Sequence, residues 1–166
     1  MKDAEYTDFV SARLESLRRL AFLLCGDAHR ADDLVQQAIT KLYVRWRKLA
    51  DVANLDQYLR TILLREFIDE RRRSWAKVRL VAQAPEAAAR SDDAAARLDL
   101  RAALLQLPKR QRAVVVLRFL SDLSVDDTAA ALGCSAGTVK SQTADGLAKL
   151  RRLLGDELIA VASGRG

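Results

Sequence analysis

The sequence predicts an all-α protein: two small helical domains joined by a flexible linker. Three observations carry this expectation. Glycine and proline are scarce, 7 and 2 among 166 residues, while alanine, leucine and arginine dominate, a composition that favours helix. Large apolar residues recur at helical spacing in several separate stretches. Between two groups of such stretches lies Ala82 to Ala96, alanine-rich, with Pro85 and the charged group Arg90, Ser91, Asp92, Asp93. It has almost no large side chain to anchor it to a core. The boundaries follow as 1–78 for the first domain, 79–97 for the linker, 98–154 for the second domain and 155–166 for a frayed tail.

In chain order, Tyr6, Phe9, Val10, Leu14, Leu17, Leu20, Ala21 and Leu24 predict one helix from about Ala4 to Leu24. Gly26 and Asp27 stop it and open the next. That second helix carries Leu34, Val35, Ala38, Ile39, Leu42, Tyr43 and Trp46, and ends near Ala50. A polar loop, Asp51 to Asp56, precedes a third helix with Tyr58, Leu59, Ile62, Leu63, Phe67 and Ile68, which runs into the basic group Arg71, Arg72, Arg73. Past the linker, Leu98, Ala102, Leu105 and Leu107 form a short helix. Pro108 suits the first turn of the next, which carries Val114, Val115, Leu117 and Leu120.

The formal net charge of +6 favours a polyanionic partner. No apolar run approaches the ~20 residues of a membrane span, and Met1 to Phe9 is too acidic and polar for a signal peptide. With two cysteines, Cys25 and Cys134, and one histidine, His29, neither a zinc site nor a disulfide framework is expected. Both thiols read as reduced, in a cytoplasmic protein. No cluster of His, Cys or carboxylates has catalytic spacing, so no metal, no cofactor and no enzyme activity are expected.

The sharpest local signal runs from Ser124 to Leu150. Ser124-Val125-Asp126-Asp127 has the form of a capping box, with Asp where Glu is usual. It opens a short helix kept slim by Ala129, Ala130 and Ala131. Gly133 supplies a turn, and Ser135 caps a longer helix. Together these make a helix-turn-helix. On the longer helix Val139, Thr143, Gly146, Leu147 and Leu150 form the stripe to be buried. Gly137, Lys140, Ser141 and Ala144, flanked by Thr138 and Gln142, form a small polar face suited to a major groove.

The stretch Leu107 to Leu154 resembles region 4 of extracytoplasmic-function sigma factors of bacterial RNA polymerase. The resemblance rests on Leu107-Pro108 with Gln111-Arg112, then Gly137-Thr138-Val139-Lys140-Ser141. "GDAHRADDLVQQAITKLYVRW" and "YLRTILLREFIDERRR" resemble parts of region 2 in the same family. The likeness covers about Phe9 to Leu154, and its flavour is that of the actinobacterial SigE-like group. It implies a promoter-recognition subunit whose partners are core RNA polymerase (the clamp helices of the largest subunit and the flap of the second) and promoter DNA. It leaves room for an anti-sigma factor.

The resemblance also implies roles. Asp33, Leu34, Gln36 and Gln37 match the segment that docks on the clamp helices, with Gln37 in place of the usual glutamate. Asn54 and Asp56 fall in the loop that captures a flipped −10 base. Arg60, Arg65, Arg72 and Arg73 on the helix behind it meet the strands, Arg65 replacing the usual asparagine. Ser135, Gly137, Thr138, Lys140, Ser141, Gln142 and Arg112 serve the −35 element. Asp145 stands where the family usually has arginine. Tyr43, Trp46, Tyr58 and Phe67 are at helical spacing, which favours core packing over base stacking. The rival reading is a two-domain helix-turn-helix regulator that binds duplex DNA as a dimer without polymerase. The first half shows no evident ligand pocket or dimer surface for it.

Overall fold

A computed structural model describes residues 3–70 and 92–155, with side chains in the second stretch described from residue 99. Arg72 and Arg73, most of the expected linker and the tail beyond Gly155 lie outside the described residues. The described residues form helices α1 (Asp3–Ser11), α2 (Leu14–Cys25), α3 (Ala28–Arg45), α4 (Leu55–Asp69), α5 (Asp92–Leu105), α6 (Lys109–Val115), α7 (Val125–Leu132) and α8 (Ala136–Leu154). A single 3-10 turn, Trp46–Lys48, follows α3. A π turn, Val116–Leu120, prolongs α6 and is closed by Ser121 N–H donating to the Val116 carbonyl at 3.0 Å.

The first expected helix is two helices. The chain tightens where Arg13 N–H donates to the Val10 carbonyl at 3.0 Å. The Arg13 guanidinium donates to the Phe9 carbonyl and to Asp56, which holds the break. Both helices face one core, so the apolar spacing runs across the break without marking it. α2 ends as expected: Gly26 takes φ +72° and donates to the Phe22 carbonyl, a backbone region that glycine enters at little cost. Asp27 then caps α3 by accepting from Arg30 N–H.

α3 packs between α2 and α4. Its buried side is Ala31, Leu34, Val35, Ala38 and Leu42, with Trp46 buried behind them. From α4, Leu59, Leu63, Leu64 and Phe67 enter the same core. Each such side chain contributes roughly 1.5–3 kcal/mol on burial. Trp46 and Phe67 are core residues, and Tyr58 packs partly buried against that core. Tyr43 is half exposed and edges onto Tyr6, whose hydroxyl donates to the Ile39 carbonyl.

In the second half α5 begins at Asp92, so residues 92–97, expected in the linker, belong to a helix. Alanine's high helix propensity overrides the lack of large apolar anchors there. Pro108 precedes α6 as its cap residue. Ser124 caps α7 by accepting from Asp127 N–H, and Ser135 caps α8 by accepting from Thr138 N–H. Gly133, at φ +65°, links them. α8 crosses α6 closely at Gly146, where an added Cβ would lie 2.9 Å from Val115 Cγ2.

The two helical domains are in contact. Buried residues of both contribute to one continuous apolar cluster. Leu105 of α5 seats on the bare Cα of Gly26, where a Cβ would come within 2.5 Å of Leu105 Cδ2. Arg101 lies over the Phe22 ring and Lys109 over the Phe67 ring.

Candidate nucleic-acid interface

α8 presents its polar face where the sequence places it. Val139, Gly146 and Leu150 are buried, while Ser135, Gly137, Lys140, Ser141, Ala144 and Asp145 are exposed. Thr138 and Gln142 are partly exposed on the flanks. Ser135 Oγ lies 2.9 Å from Thr138 Oγ1, and Ser141 Oγ donates to the Thr138 carbonyl. The first turns of α8 therefore carry short, ordered hydroxyls beside one long cation. That surface suits a groove rich in acceptors and lined by phosphates.

Arg112 lies elsewhere. Its Nε donates to the Leu104 carbonyl at 2.8 Å, and its Nη2 to those of Leu105 and Leu107. Its Nη1 donates to the Leu24 carbonyl at 2.6 Å. These carbonyls lie at or just past the ends of α5 and α2, and that of Leu104 also accepts from Leu107 N–H. Burial, with the charge of Arg30 nearby, pulls the guanidinium below its ordinary range. Arg112 thus holds protein to protein in this arrangement and does not share the α8 face.

On α3 the outward stripe is Asp33, Gln36, Thr40 and Val44, with Gln37 half-covered beside it. Leu34 is not part of it. It is 1% exposed and sits in the core, because its helical position lies among Ala31, Val35 and Ala38. Its expected place on a docking face is corrected accordingly. Val44 is the apolar member that the sequence reading missed, at 76% exposed. The signal for it was available: it falls one helical turn beyond Thr40, off the buried stripe.

The segment before α4 is also tied to protein. Asn54 caps α4 by accepting from Gln57 N–H at 3.0 Å. Asp56 lies in the first turn of α4 and forms a two-pronged ion pair with Arg13. That hydrogen-bonded guanidinium, with a smaller contribution from Arg60, holds the Asp56 carboxyl below its ordinary value of 3.8. Arg65 donates to the carbonyls of Ala131 and Ala130 at the end of α7. Arg60 is partly exposed. Of the residues expected at the −10 strands, Asn54, Asp56 and Arg65 therefore have protein partners here.

Among the described residues no group of His, Cys, Asp or Glu could hold a metal ion, and no described helix is long and apolar enough to cross a membrane.

Residues 9–77 match the family described as Sigma-70 region 2, and residues 97–150 match Sigma-70, region 4. The chain is 38% identical over 157 residues to the RNA polymerase sigma-E factor of Streptomyces avermitilis, covering 90% of this chain and 85% of that protein. It is 34% identical over 151 residues to the ECF RNA polymerase sigma factor EcfG of Rhodopseudomonas palustris, covering 89% and 83%. Among solved structures, the sigma factor RpoE of Bartonella quintana, crystallised with the anti-sigma factor NepR, matches with a TM-score of 0.73 and 29% identity, over 90% of this chain and 96% of that one.

Proposed function

The chain belongs to the sigma-70 family of RNA polymerase sigma factors, in its extracytoplasmic-function group, and from that premise we propose how its parts divide the work. It directs RNA polymerase to promoters and starts transcription. The outward stripe of α3 docks on the clamp helices of the largest subunit, through Asp33, Gln36 and Gln37 with Thr40 and Val44 added. The loop and helix from Asn54 onward, with Arg60, Arg65, Arg72 and Arg73, meet the −10 strands, where opening needs cations for the backbone and a site for a displaced base. The second half meets the flap of the second subunit and reads the −35 duplex through the first turns of α8. The chain works in the cytoplasm and carries out no chemistry itself; RNA synthesis belongs to the core enzyme. An anti-sigma factor, the kind of partner bound to the Bartonella relative, is a natural inhibitor for it.

One observation carries the reading: the two family segments occur in order, and the second leaves the polar face of α8 open to solvent. Gel filtration with purified core polymerase, then run-off transcription on promoter fragments, tests it. The chain is expected to co-elute with core and to bind promoter DNA tightly only with it. Val44→Glu with Gln36→Ala is expected to weaken core binding by about 1–3 kcal/mol, the range of central interface residues, with helicity unchanged. Lys140→Ala is expected to lower promoter affinity almost uniformly and to reduce the salt slope by about one unit. Nanomolar promoter binding by the isolated chain, with no core binding, would instead establish the stand-alone regulator.

A further inference from the structure

We propose that Phe9 and Arg13 form a clip across the two ends of the loop between α3 and α4, and that Arg13 is thereby a positioning residue for recognition of the displaced −10 base. The inference rests on the sigma-factor reading for what the loop does, but the clip itself stands on contacts within the first half of the chain. Neither residue belongs to the surfaces proposed to meet DNA or polymerase.

The loop lies between the turn Trp46–Lys48 and the start of α4 at Leu55. Trp46 anchors its entry and is buried. The Trp46 ring meets that of Phe9 at a centroid distance of 5.4 Å. The Arg13 guanidinium lies over the same Phe9 ring, 3.8 Å from its centroid, and donates to the Phe9 carbonyl at 3.0 Å. It also takes both carboxylate oxygens of Asp56, in the first turn of α4, with Nη2 donating to Oδ2 at 3.1 Å and Nε to Oδ1. Trp46, Phe9, Arg13 and Asp56 thus connect the entry of the loop to its exit. The break between α1 and α2 falls between Phe9 and Arg13. It lets one side chain stand at the end of α3 and the other at the head of α4.

An ion pair this accessible, with side chains 31% and 46% exposed, adds little to stability. The core has its own anchors on either side of the loop in Trp46 and Leu59, both buried. What the clip adds is geometry. A two-pronged guanidinium–carboxylate pair fixes the orientation of both groups, and stacking on Phe9 ties that orientation to the loop entry. Within the loop, Leu49 N–H donates to the Trp46 carbonyl and Val52 N–H to that of Leu49, while Asp51, Ala53 and Asn54 are exposed. A site for one displaced base has to keep its shape as the base arrives. Held ends leave the exposed residues fewer arrangements to lose. Asp56 therefore serves the base by holding the loop, without touching DNA.

The test uses the full chain, at limiting concentration, with core polymerase and a promoter it transcribes. Each base of the −10 element is changed singly. The readout is the ratio of run-off product from the parent promoter to that from each changed promoter, which does not depend on the folded fraction of the chain. Arg13→Gln removes the charge and the two-pronged contact. It is expected to lower the ratio at the captured base about threefold, out of the ~5–150-fold that one base pair is worth. Asp56→Asn is expected to do the same, and the double variant no more than either, because both act through one contact. Arg13→Lys, which keeps the charge, is expected to fall between. Ratios at the −35 element are expected to stay as they were. Arg19→Gln, at an exposed α2 cation paired with Glu15, controls for loss of charge and is expected to leave every ratio unchanged. Unaltered −10 ratios in Arg13→Gln, or an equal fall at −10 and −35, overturn the positioning role. A spin label at exposed Ala53 (Ala53→Cys, with Cys25→Ala and Cys134→Ser) reads the loop in the free chain. Its motion is expected to quicken with Arg13→Gln and not with Arg19→Gln. Equal motion in both overturns the clip. Circular dichroism shows whether the helices are kept; should Arg13→Gln unfold, Asp56→Asn breaks the same contact from the other side. If core polymerase does not bind the parent chain, the sigma-factor reading fails, and the spin label alone decides the clip.

Discussion

α8 and α4 are amphipathic helices of similar length, and the proposed function turns both toward DNA. Their polar side chains face different surroundings. On α8, Lys140, Ser141 and Ser135 meet solvent. On and before α4, Asn54 caps its own helix, Asp56 holds Arg13, and Arg65 holds the end of α7. A DNA contact through Lys140 replaces water alone, and Ser135 and Ser141 are bonded only to Thr138 beside them. A contact through Asp56 or Arg65 must first break a protein hydrogen bond, whose loss costs more when a charged group takes part. On the proposed function, the −35 reader is preformed, whereas part of the −10 surface has to be released. The difference fits the order of steps in promoter opening, in which duplex binding precedes strand separation.

The comparison breaks most severely at a residue that belongs to neither surface. Leu34 lies wholly inside the first half. Leu34→Ala is expected to destabilise that half by about 2–5 kcal/mol, through lost burial and the cavity left behind. Val44→Glu, on the opposite side of the same helix, is expected to change stability by no more than about 0.5 kcal/mol. Urea unfolding of the two variants checks this. Equal destabilisation would mean that Leu34 is not the core residue described, and the docking stripe would need redrawing.

A smaller effect sharpens the claim that the residues around α4 are engaged. The Asp56 carboxyl is held below its ordinary value by Arg13, so the ionised form is the one stabilised by folding. That stability is present above the ordinary carboxylate range and is lost as pH falls through the lowered folded value. The pair is partly exposed, with side chains 31% and 46% accessible, so solvent screening limits it to about 0.5–1 kcal/mol. Asp56→Asn is expected to cost that amount near pH 7 and to become indistinguishable from the parent in strong acid. Urea midpoints across the acid range read the convergence directly. A constant gap at all pH values would show that the carboxylate's charge is not what holds Arg13.

How much of this was legible in the sequence depends on the distance along the chain between partners. The caps at Asp27, Ser124 and Ser135 and the turns at Gly26 and Gly133 join residues three or four apart, and the helix-turn-helix could be read from them with its exposed face. Arg13 with Asp56, Arg65 with Ala131 and Arg112 with Leu24 lie 43, 66 and 88 residues apart. No local pattern marks such pairs, so Asp56, Arg65 and Arg112 read as DNA-facing. Leu34 is a different case. The period of Ala31, Leu34, Val35 and Ala38 places it inside, whereas the family resemblance places it on the docking face. The start of α5 was hidden because alanine forms helix without leaving an apolar stripe to detect.

The smallest expected effect lies on the preformed surface and tests how far that surface extends. Asp145 is exposed, one turn beyond Ser141 on α8. The nearest cation one further turn along, Lys149, donates to the Gln106 carbonyl at 2.9 Å instead. Among the described residues Asp145 forms no ion pair. α8 starts at Ala136, so Asp145 is in its third turn, about 15 Å along the axis. A helix entering the groove by its N-terminal residues carries that turn out beside the phosphate backbone. A carboxylate there repels phosphate by about 0.5 kcal/mol after screening. Asp145→Arg replaces that repulsion with attraction. It is expected to tighten promoter binding by the polymerase complex several-fold and to steepen its salt dependence by about one unit. Preference among single-base variants of the −35 element should stay as it was. Binding measured on those variants at two salt concentrations separates the outcomes. Lost discrimination at one base pair would show that Asp145 reads a base edge, and that the preformed surface reaches a full turn farther along α8 than its short polar residues mark.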